Sequence, residues 1–201
     1  MEQPSNQPKI TWSGGEYRTK CVVGLGRDGV VNKYIGGYCF RVEDFEEIPN
    51  SFDAVAELRR KGHKIVFITD QGGIETGQFT QEQVETVNMH MLDQLGKAGC
   101  FSIDGIYYSA GVRKDDPFAI PNNGMFKKCE KEIKDIKFKE GYYVGHTIKE
   151  LKAAASTGAK PVLVRTGKGL ETEKELNRWA HKDLKRRTLV FDDLAAFVAS
   201  L

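Results

Sequence analysis

The sequence predicts an α/β fold in which a mainly parallel sheet of five or six strands carries helices on both faces. Short apolar runs alternate with longer amphipathic runs along the chain, which is the order of strands and helices in consecutive βαβ units. Right-handed crossovers between parallel strands then place the helices on the two faces of the sheet. The length of 201 residues and the hydrophobic share of 40% suit one domain with a buried core.

The strands are predicted where short, mostly apolar runs stand between turn residues. They fall at 21–25, 65–69, 105–108, 142–144 and 161–164, with a further short strand at 189–191. Ligands of such sheets bind beyond the carboxyl ends of the strands. The loops after Leu25, Thr69 and Val144 are therefore the candidate site.

The helices are predicted where apolar residues recur with a helical period between these strands. They fall at 51–61, 80–97, 124–134, 147–156, 170–181 and 194–200. Asn50 or Ser51 is a suitable cap for the first helix, and Gly62 and Gly158 are suitable terminators.

Composition excludes several classes of protein. The 30 basic and 28 acidic residues leave a net charge of +2, which gives no strong field toward nucleic acid or acidic membranes. The 4 cysteines form no CxxC pair, which indicates reduced thiols rather than disulfides or a zinc site. No run approaches the roughly 20 apolar residues of a membrane span, and the first residues, MEQPSNQPKITW, lack a secretory apolar segment. We expect a cytoplasmic protein with a polar, mobile extension at 1–17 and a single domain at 18–201.

Five stretches, in order, resemble the motifs of one phosphatase family. They are CVVGLGRDGVVNKY, FITDQGGIETGQFT, DGIYYSAG, AIPNNGMF and YYVGHTIKELKAAASTGAKPVLVRTGKG. The chain resembles the haloacid dehalogenase-like phosphatases, in the branch that acts on histidinol phosphate and D,D-heptose 1,7-bisphosphate. The resemblance covers residues 20 to 200 and implies a Rossmann-like core with little or no cap domain.

The first motif of this family is D-x-D, and its two carboxylates have different roles. The first attacks the phosphate ester and forms an aspartyl-phosphate, and the second is the general acid and base. In this chain Gly26 stands at the first position and supplies no nucleophile, whereas Asp28 keeps the second. Asp28 is either a working acid or a remnant that bonds loop amides.

The resemblance also implies that most of the charge used to bind metal and phosphate is missing. His146 stands where the family has an aspartate that binds Mg²⁺, and Glu150 stands at a second aspartate position. His146 is either a polar loop residue or a substitute ligand or base. Uncharged residues replace the family lysine and two arginines, at Ile120, Ala119 and Thr76.

Thr69 matches the threonine of the second motif, but Asp70 replaces its asparagine and is expected to repel phosphate. The zinc loop of the branch aligns with SAGV and with a stretch that lacks cysteine and histidine, so no structural Zn²⁺ is expected.

These losses favour a catalytically inactive pseudophosphatase that needs no cofactor and acts as a binding protein with a protein partner, in a larger assembly. The alternative is a weak or altered phosphohydrolase that acts on a sugar bisphosphate or on histidinol phosphate and uses Mg²⁺. A second alternative is a sensor of a neutral or cationic small ligand. No membrane partner is expected. The basic segment from His181 to Arg187 leaves a nucleic-acid contact open, although a solvated helix face explains it as well.

Overall fold

A computed structural model describes residues 21–201, which contain one fully parallel sheet of six strands. The strands are β1 (Val22–Leu25), β2 (Lys64–Asp70), β3 (Gly105–Ser109), β4 (Tyr142–Gly145), β5 (Lys160–Val164) and β6 (Leu189–Phe191). Their order is β3-β2-β1-β4-β5-β6, so the chain builds outward from β1 first in one direction and then in the other. The carboxyl ends of β2, β1 and β4 therefore meet at the topological switch point.

Seven helices lie among the described residues. They are α1 (Ser51–Arg60), α2 (Gln81–Lys97), α3 (Gly124–Glu132), α4 (Ile148–Thr157), α5 (Gly169–Leu176), α6 (Lys182–Arg187) and α7 (Leu194–Ala199). Three short 3-10 turns join them at Val42–Asp44, Phe138–Glu140 and Trp179–His181.

The alternation of side chains along β1 shows how the two faces of the sheet are covered. Val23 and Leu25 pack into a core cluster with apolar residues of α1, α2 and α7. Val22 faces the opposite way and packs with residues of α3 and α4. The predicted α/β fold with helices on both faces is confirmed, and no cap domain is inserted into residues 21–201.

The predicted element bounds differ from the observed ones by one or two residues, with one larger error. The helix predicted at 170–181 ends at Leu176, because Arg178 has extended backbone (φ −70°, ψ 147°) before the turn at Trp179–His181. The basic segment then forms the separate helix α6, and its contact with nucleic acid stays a prediction.

The extension predicted at 1–17 lies outside the described residues. Within residues 21–201, no helix has both the length and the apolar content needed to cross a membrane.

Candidate functional site

A cavity of about 750 Å³ lies beyond the carboxyl ends of β1, β2 and β4. The topology explains its place, because these three neighbouring strands end at the same edge of the sheet. Most of the predicted site residues line it: Asp28, Thr69, Asp70, Ile120, His146 and Glu150.

Asp28 lies in the loop after β1, where the preceding Arg27 holds it in place. The guanidinium of Arg27 donates from Nε and Nη2 to the two carboxylate oxygens of Asp28, at 3.1 and 3.0 Å. Asn32 Nδ2 donates to Oδ1 at 2.8 Å, and Gln71 Nε2 approaches Oδ2 at 3.4 Å. Each oxygen of this carboxylate therefore faces two donors inside the protein.

Arg27 is completely buried, although it occupies the middle of the first motif. Its Nη1 donates to Asn88 Oδ1 at 2.9 Å, and its Nη2 also donates to the Cys39 carbonyl at 2.6 Å. The fork geometry of arginine thus joins the loop after β1 to α2 and to the segment that follows. Motif comparison alone did not identify this residue, and the pairing of an arginine with the next acid in RDG was the available signal.

Glu150 is the first-turn acid of α4 and forms a capping box with Thr147. Its Oε2 accepts hydrogen bonds from the backbone N–H of His146 at 3.0 Å and of Thr147 at 2.9 Å. The same oxygen accepts from Thr147 Oγ1 at 2.7 Å. One oxygen therefore satisfies the exposed amides at the start of the helix.

The second oxygen of Glu150 lies against Gly26. A Cβ atom added at Gly26 would lie 2.8 Å from Glu150 Oε1 and 3.1 Å from Val30 Cγ2. Only a glycine at position 26 leaves the Glu150 carboxylate in this place, so the two substitutions are sterically linked. Gly26 itself does not line the cavity.

His146 is packed between the loops that follow β1 and β5. Its Nδ1 accepts a hydrogen bond from the Lys168 amide at 3.0 Å, which assigns the proton of the neutral ring to Nε2. Its carbonyl accepts from Thr172 Oγ1 at 2.8 Å. A Cβ at Gly29 or at Gly167 would lie 2.5 Å from ring atoms, so the ring fills the space between two glycines with positive φ. These contacts hold the loops together and leave Nε2 3.8 Å from Glu150 Oε2.

At the end of β2, Thr69 and Gln71 form a buried polar pair, because Gln71 Nε2 donates to Thr69 Oγ1 at 3.1 Å. Among the described residues, Gln71 Oε1 has no partner. Asp70 lies beside them and accepts from the Gly72 amide at 3.2 Å. Burial raises the pKa of the Asp70 carboxyl, with a smaller contribution from Glu150, while the Gly72 amide and Lys149 act in the opposite direction.

The uncharged replacements lie partly outside the cavity. Thr76 and Ala119 do not line it, whereas Ile120 does. Thr76 is exposed, and its hydroxyl bonds the carbonyls of Gly72 and Gly73 at 3.5 and 3.3 Å.

Motif comparison missed three lysines that line the cavity. They are Lys149, Lys152 and Lys168. The ammonium of Lys168 lies 5.0 Å from the centroid of the Tyr34 ring. Lys149 and Lys152 are one helical turn apart on α4. The loop after β5 was outside the three loops chosen from the sequence, which explains the omission of Lys168.

Comparison with known proteins agrees with this fold. A family model for polynucleotide kinase 3 phosphatase matches residues 41–183. The D-glycero-β-D-manno-heptose-1,7-bisphosphate 7-phosphatase of Pseudomonas putida is 31% identical over 177 residues, which are 88% of this chain and 97% of that protein. The enzyme of the same name from Escherichia coli is 35% identical over 161 residues, which are 75% of this chain and 83% of that protein.

A solved structure extends the likeness to three dimensions. The D,D-heptose 1,7-bisphosphate phosphatase from B. bronchiseptica, complexed with magnesium and phosphate, superposes with a TM-score of 0.80 at 26% identity. The superposition covers 90% of this chain and 97% of that chain.

These relatives correct two conclusions drawn from the motifs. The inactive pseudophosphatase is contradicted, because phosphatases at about 30% identity match most of the chain. The expectation of no cofactor is contradicted by the magnesium in the related structure. The physical source of the first error is that position-by-position comparison did not count the lysines that other positions bring to the cavity.

The prediction of a protein partner depended on the inactive interpretation, and it stays a prediction without that support. The resemblance itself is confirmed by the family model, the sequence relatives and the solved structure. The chain belongs to the haloacid dehalogenase-like phosphatase superfamily, in the branch of the D,D-heptose 1,7-bisphosphate phosphatases.

Proposed function

We propose that this chain is a phosphohydrolase that removes a phosphate group from a small phosphorylated metabolite of the sugar-bisphosphate class. The observation that carries the proposal is the cavity at the carboxyl end of the parallel sheet, which is lined by Asp28 and by three lysines. The relatives named as heptose bisphosphate phosphatases support the substrate class.

The lysines provide the positive charge that a phosphate dianion needs. Lys149, Lys152 and Lys168 are exposed at the cavity, where their flexible ammonium groups can donate to phosphate oxygens. Charge-assisted hydrogen bonds of this kind contribute roughly 1.5 to 3 kcal/mol each when well placed.

Asp28 is the candidate acid and base. It lines the cavity, and its bidentate pair with Arg27 fixes the orientation of its carboxyl group. A fixed carboxyl can donate a proton to the departing alcohol oxygen and recover one from water. Gly26 supplies no side chain, so the attacking oxygen belongs either to water or to another carboxylate of the cavity.

The donor set of this cavity does not fit a Mg²⁺ ion bound by several side chains. Within residues 21–201, no group of three or more histidine, cysteine, aspartate or glutamate residues is placed to hold a metal ion. The oxygens of Asp28 and the Oε2 atom of Glu150 already accept hydrogen bonds from the protein. The steps proposed for this chain are therefore assigned to its own residues.

Phosphate release from D-glycero-β-D-manno-heptose 1,7-bisphosphate tests the proposal, with histidinol phosphate and a 3′-phosphorylated oligonucleotide as competing substrates. We expect release from the bisphosphate with Mg²⁺ present, and a loss of about a hundredfold to ten-thousandfold in Asp28→Asn because proton transfer is removed. The exposed Asp115, with a side chain 85% accessible, provides the matched control Asp115→Asn, which is expected to retain activity.

Thermal unfolding of each variant separates lost chemistry from lost structure. Either of two results would contradict the proposal: no release from any substrate by the folded wild-type protein, or full activity in folded Asp28→Asn.

A cytoplasmic location is part of the proposal. It is supported by four free cysteines, Cys21, Cys39, Cys100 and Cys129, three of which are buried. Burial raises the pKa of Cys39 to about 11 and that of Cys129 to about 12, so these thiols stay protonated and serve as packing groups.

A further inference from the structure

Five carboxylates line the cavity: Asp28, Asp70, Glu150, Glu171 and Glu175. The last two lie on α5, whereas the first three lie at or after the ends of β1, β2 and β4 and differ in how their oxygens are bonded. Asp28 faces donors at both oxygens, so neither of its oxygens is free to attack phosphorus. Asp70 accepts one hydrogen bond, from the Gly72 amide, and lies at the end of β2, whereas the atom nearest to a Cβ at residue 26 belongs to Glu150. Glu150 differs from both.

The Glu150 carboxylate is anchored through one oxygen only, because three donors converge on Oε2. These capping contacts all end on Oε2, so Oε1 takes no part in capping the helix.

Within residues 21–201, Oε1 has one hydrogen-bond contact, with the hydroxyl of Tyr143 at 3.4 Å. That hydroxyl lies closer to the Ile68 carbonyl, at 2.8 Å, and a phenol has a single proton to donate. Since the proton is committed to Ile68, the lone pairs of Glu150 Oε1 remain available. Burial and the Glu150 charge raise the pKa of Tyr143 well above its usual range, so the phenol stays neutral.

The position of Glu150 Oε1 matters as much as its free lone pairs. Oε1 lies 2.8 Å from the place of a Cβ at residue 26, which is where the family carries its attacking aspartate. Glutamate is one methylene longer than aspartate, and from the first turn of α4 it reaches the space that Gly26 leaves open after β1. The site therefore keeps a carboxylate beside position 26, supplied by the helix that follows β4.

We infer that Glu150 is the nucleophile of this chain and forms a glutamyl-phosphate through Oε1. A lone pair of Oε1 attacks phosphorus, the ester P–O bond breaks, and its electron pair leaves on the alcohol oxygen, which takes a proton from Asp28. Water then attacks phosphorus and gives a proton back to Asp28, and the P–Oε1 bond breaks to restore the Glu150 carboxylate. The sum is ester plus water to alcohol plus inorganic phosphate.

Because this assignment rests on the proposed function, the experiment measures the covalent intermediate and the hydrolysis separately. Wild-type protein is mixed with D-glycero-β-D-manno-heptose 1,7-bisphosphate, quenched, and treated with borohydride, which reduces an acyl phosphate to an alcohol. Peptide mass spectrometry then locates the reduced residue. We expect the mark at Glu150 and none at Asp28 or Asp70.

Three variants complete the test. Glu150→Gln keeps the shape and an acceptor for the capping amides, and we expect it to fold and to lose at least about a thousandfold in phosphate release together with the mark. Glu150→Asp keeps the charge but is too short to reach Gly26, so a comparable loss is expected. Glu140→Gln, an exposed glutamate before β4, is the matched control and keeps both activity and mark.

The outcomes distinguish the two proposals. Hydrolysis with the mark on another residue, hydrolysis with no acyl phosphate, or a folded Glu150→Gln that hydrolyses at the wild-type rate each overturns Glu150 as nucleophile and leaves the phosphohydrolase intact. Absence of hydrolysis by the wild-type protein overturns the phosphohydrolase and the nucleophile with it.

Discussion

The ends of β1 and β4 are neighbouring parts of one cavity, yet they treat their carboxylates in opposite ways. After β1, Asp28 is held at both oxygens by Arg27 and by further donors. After β4, Glu150 is held at one oxygen and presents the other to Gly26. A carboxylate with donors on both oxygens has neither oxygen free to attack phosphorus, whereas a carboxylate with donors on one oxygen keeps the other for attack. The contrast shows that a site can lose a residue at one strand end and keep its charge at the next.

The largest expected effect on stability comes from replacing Arg27, which holds Asp28 in the loop after β1. Removing this completely buried cation leaves Asn88 Oδ1 and the Cys39 carbonyl without the donor that Arg27 supplies, and leaves Asp28 with only Asn32 and Gln71 as donors. We expect Arg27→Ala to lower the free energy of unfolding by about 3 to 5 kcal/mol, as breakage of a buried pair does. Urea unfolding followed by circular dichroism measures it.

Arg41→Ala is the matched control, because Arg41 pairs with Asp44 at 2.7 Å through an exposed guanidinium. Exposed ion pairs contribute little, so no clear change is expected there. Equal destabilisation by the two variants would show that Arg27 does not organise the loop after β1.

The frame of the molecule was predictable from the sequence because local rules determine it. Apolar runs predicted the six strands to within two residues, and Gly158 ends α4 in the left-handed region that favours glycine (φ 86°). The helix predicted at 170–181 failed because no glycine or proline marks the break at Arg178.

The cavity was predictable only in part. The loops after β1, β2 and β4 were correctly brought together, since topology decides that. The partner of each side chain was not predictable: Arg27 turns inward, Lys168 arrives from the loop after β5, and Glu150 reaches across to Gly26. These contacts depend on three-dimensional distances between segments far apart in the sequence. A list of substituted positions therefore missed the positive charge that residues such as Lys168 bring to the cavity.

The next largest effect is expected at Gly26, where Glu150 presents its Oε1 atom. Gly26→Ala places a methyl group 2.8 Å from Glu150 Oε1 and 3.1 Å from Val30 Cγ2, so one of them must move. We expect a loss of about 1 to 3 kcal/mol in the free energy of unfolding, the usual range for overpacking. Glu150→Asp in the same chain withdraws the carboxylate, so the double variant is expected to recover part of that loss.

A double-mutant cycle from urea unfolding gives the coupling of the pair, which we expect to be about 1 kcal/mol. Gly37→Ala is the control, because an added Cβ there meets no atom within 4 Å. Strict additivity of Gly26→Ala and Glu150→Asp would mean that the two residues are not in contact.

A smaller effect is expected at the rim, where the lysines meet solvent. Lys168→Ala and Lys149→Ala each remove a cation that lines the cavity, so the KM for the bisphosphate is expected to rise several-fold, less at high salt. Steady-state kinetics at two salt concentrations measure this. Lys160→Ala serves as control, because Lys160 is an exposed lysine at the opposite end of β5. A rise of the same size in Lys160→Ala would assign the effect to overall charge.

The smallest effect concerns Asp70, whose pKa is raised chiefly by burial. The folded protein binds a proton at Asp70 more tightly than the unfolded chain does, so ionisation destabilises the fold as pH rises through the ordinary aspartate pKa to the raised one. Above both values the penalty is constant, and below the ordinary value it is absent.

Asp70→Asn cannot ionise and keeps an oxygen for the Gly72 amide, so we expect it to be slightly more stable than wild type at neutral pH and equal to it in acid. Melting temperatures across pH measure the difference, with exposed Asp115→Asn as the control. A variant that is less stable than wild type at neutral pH would mean that the Asp70 charge is favourably paired, and the loop after β2 would then resemble the loop after β1.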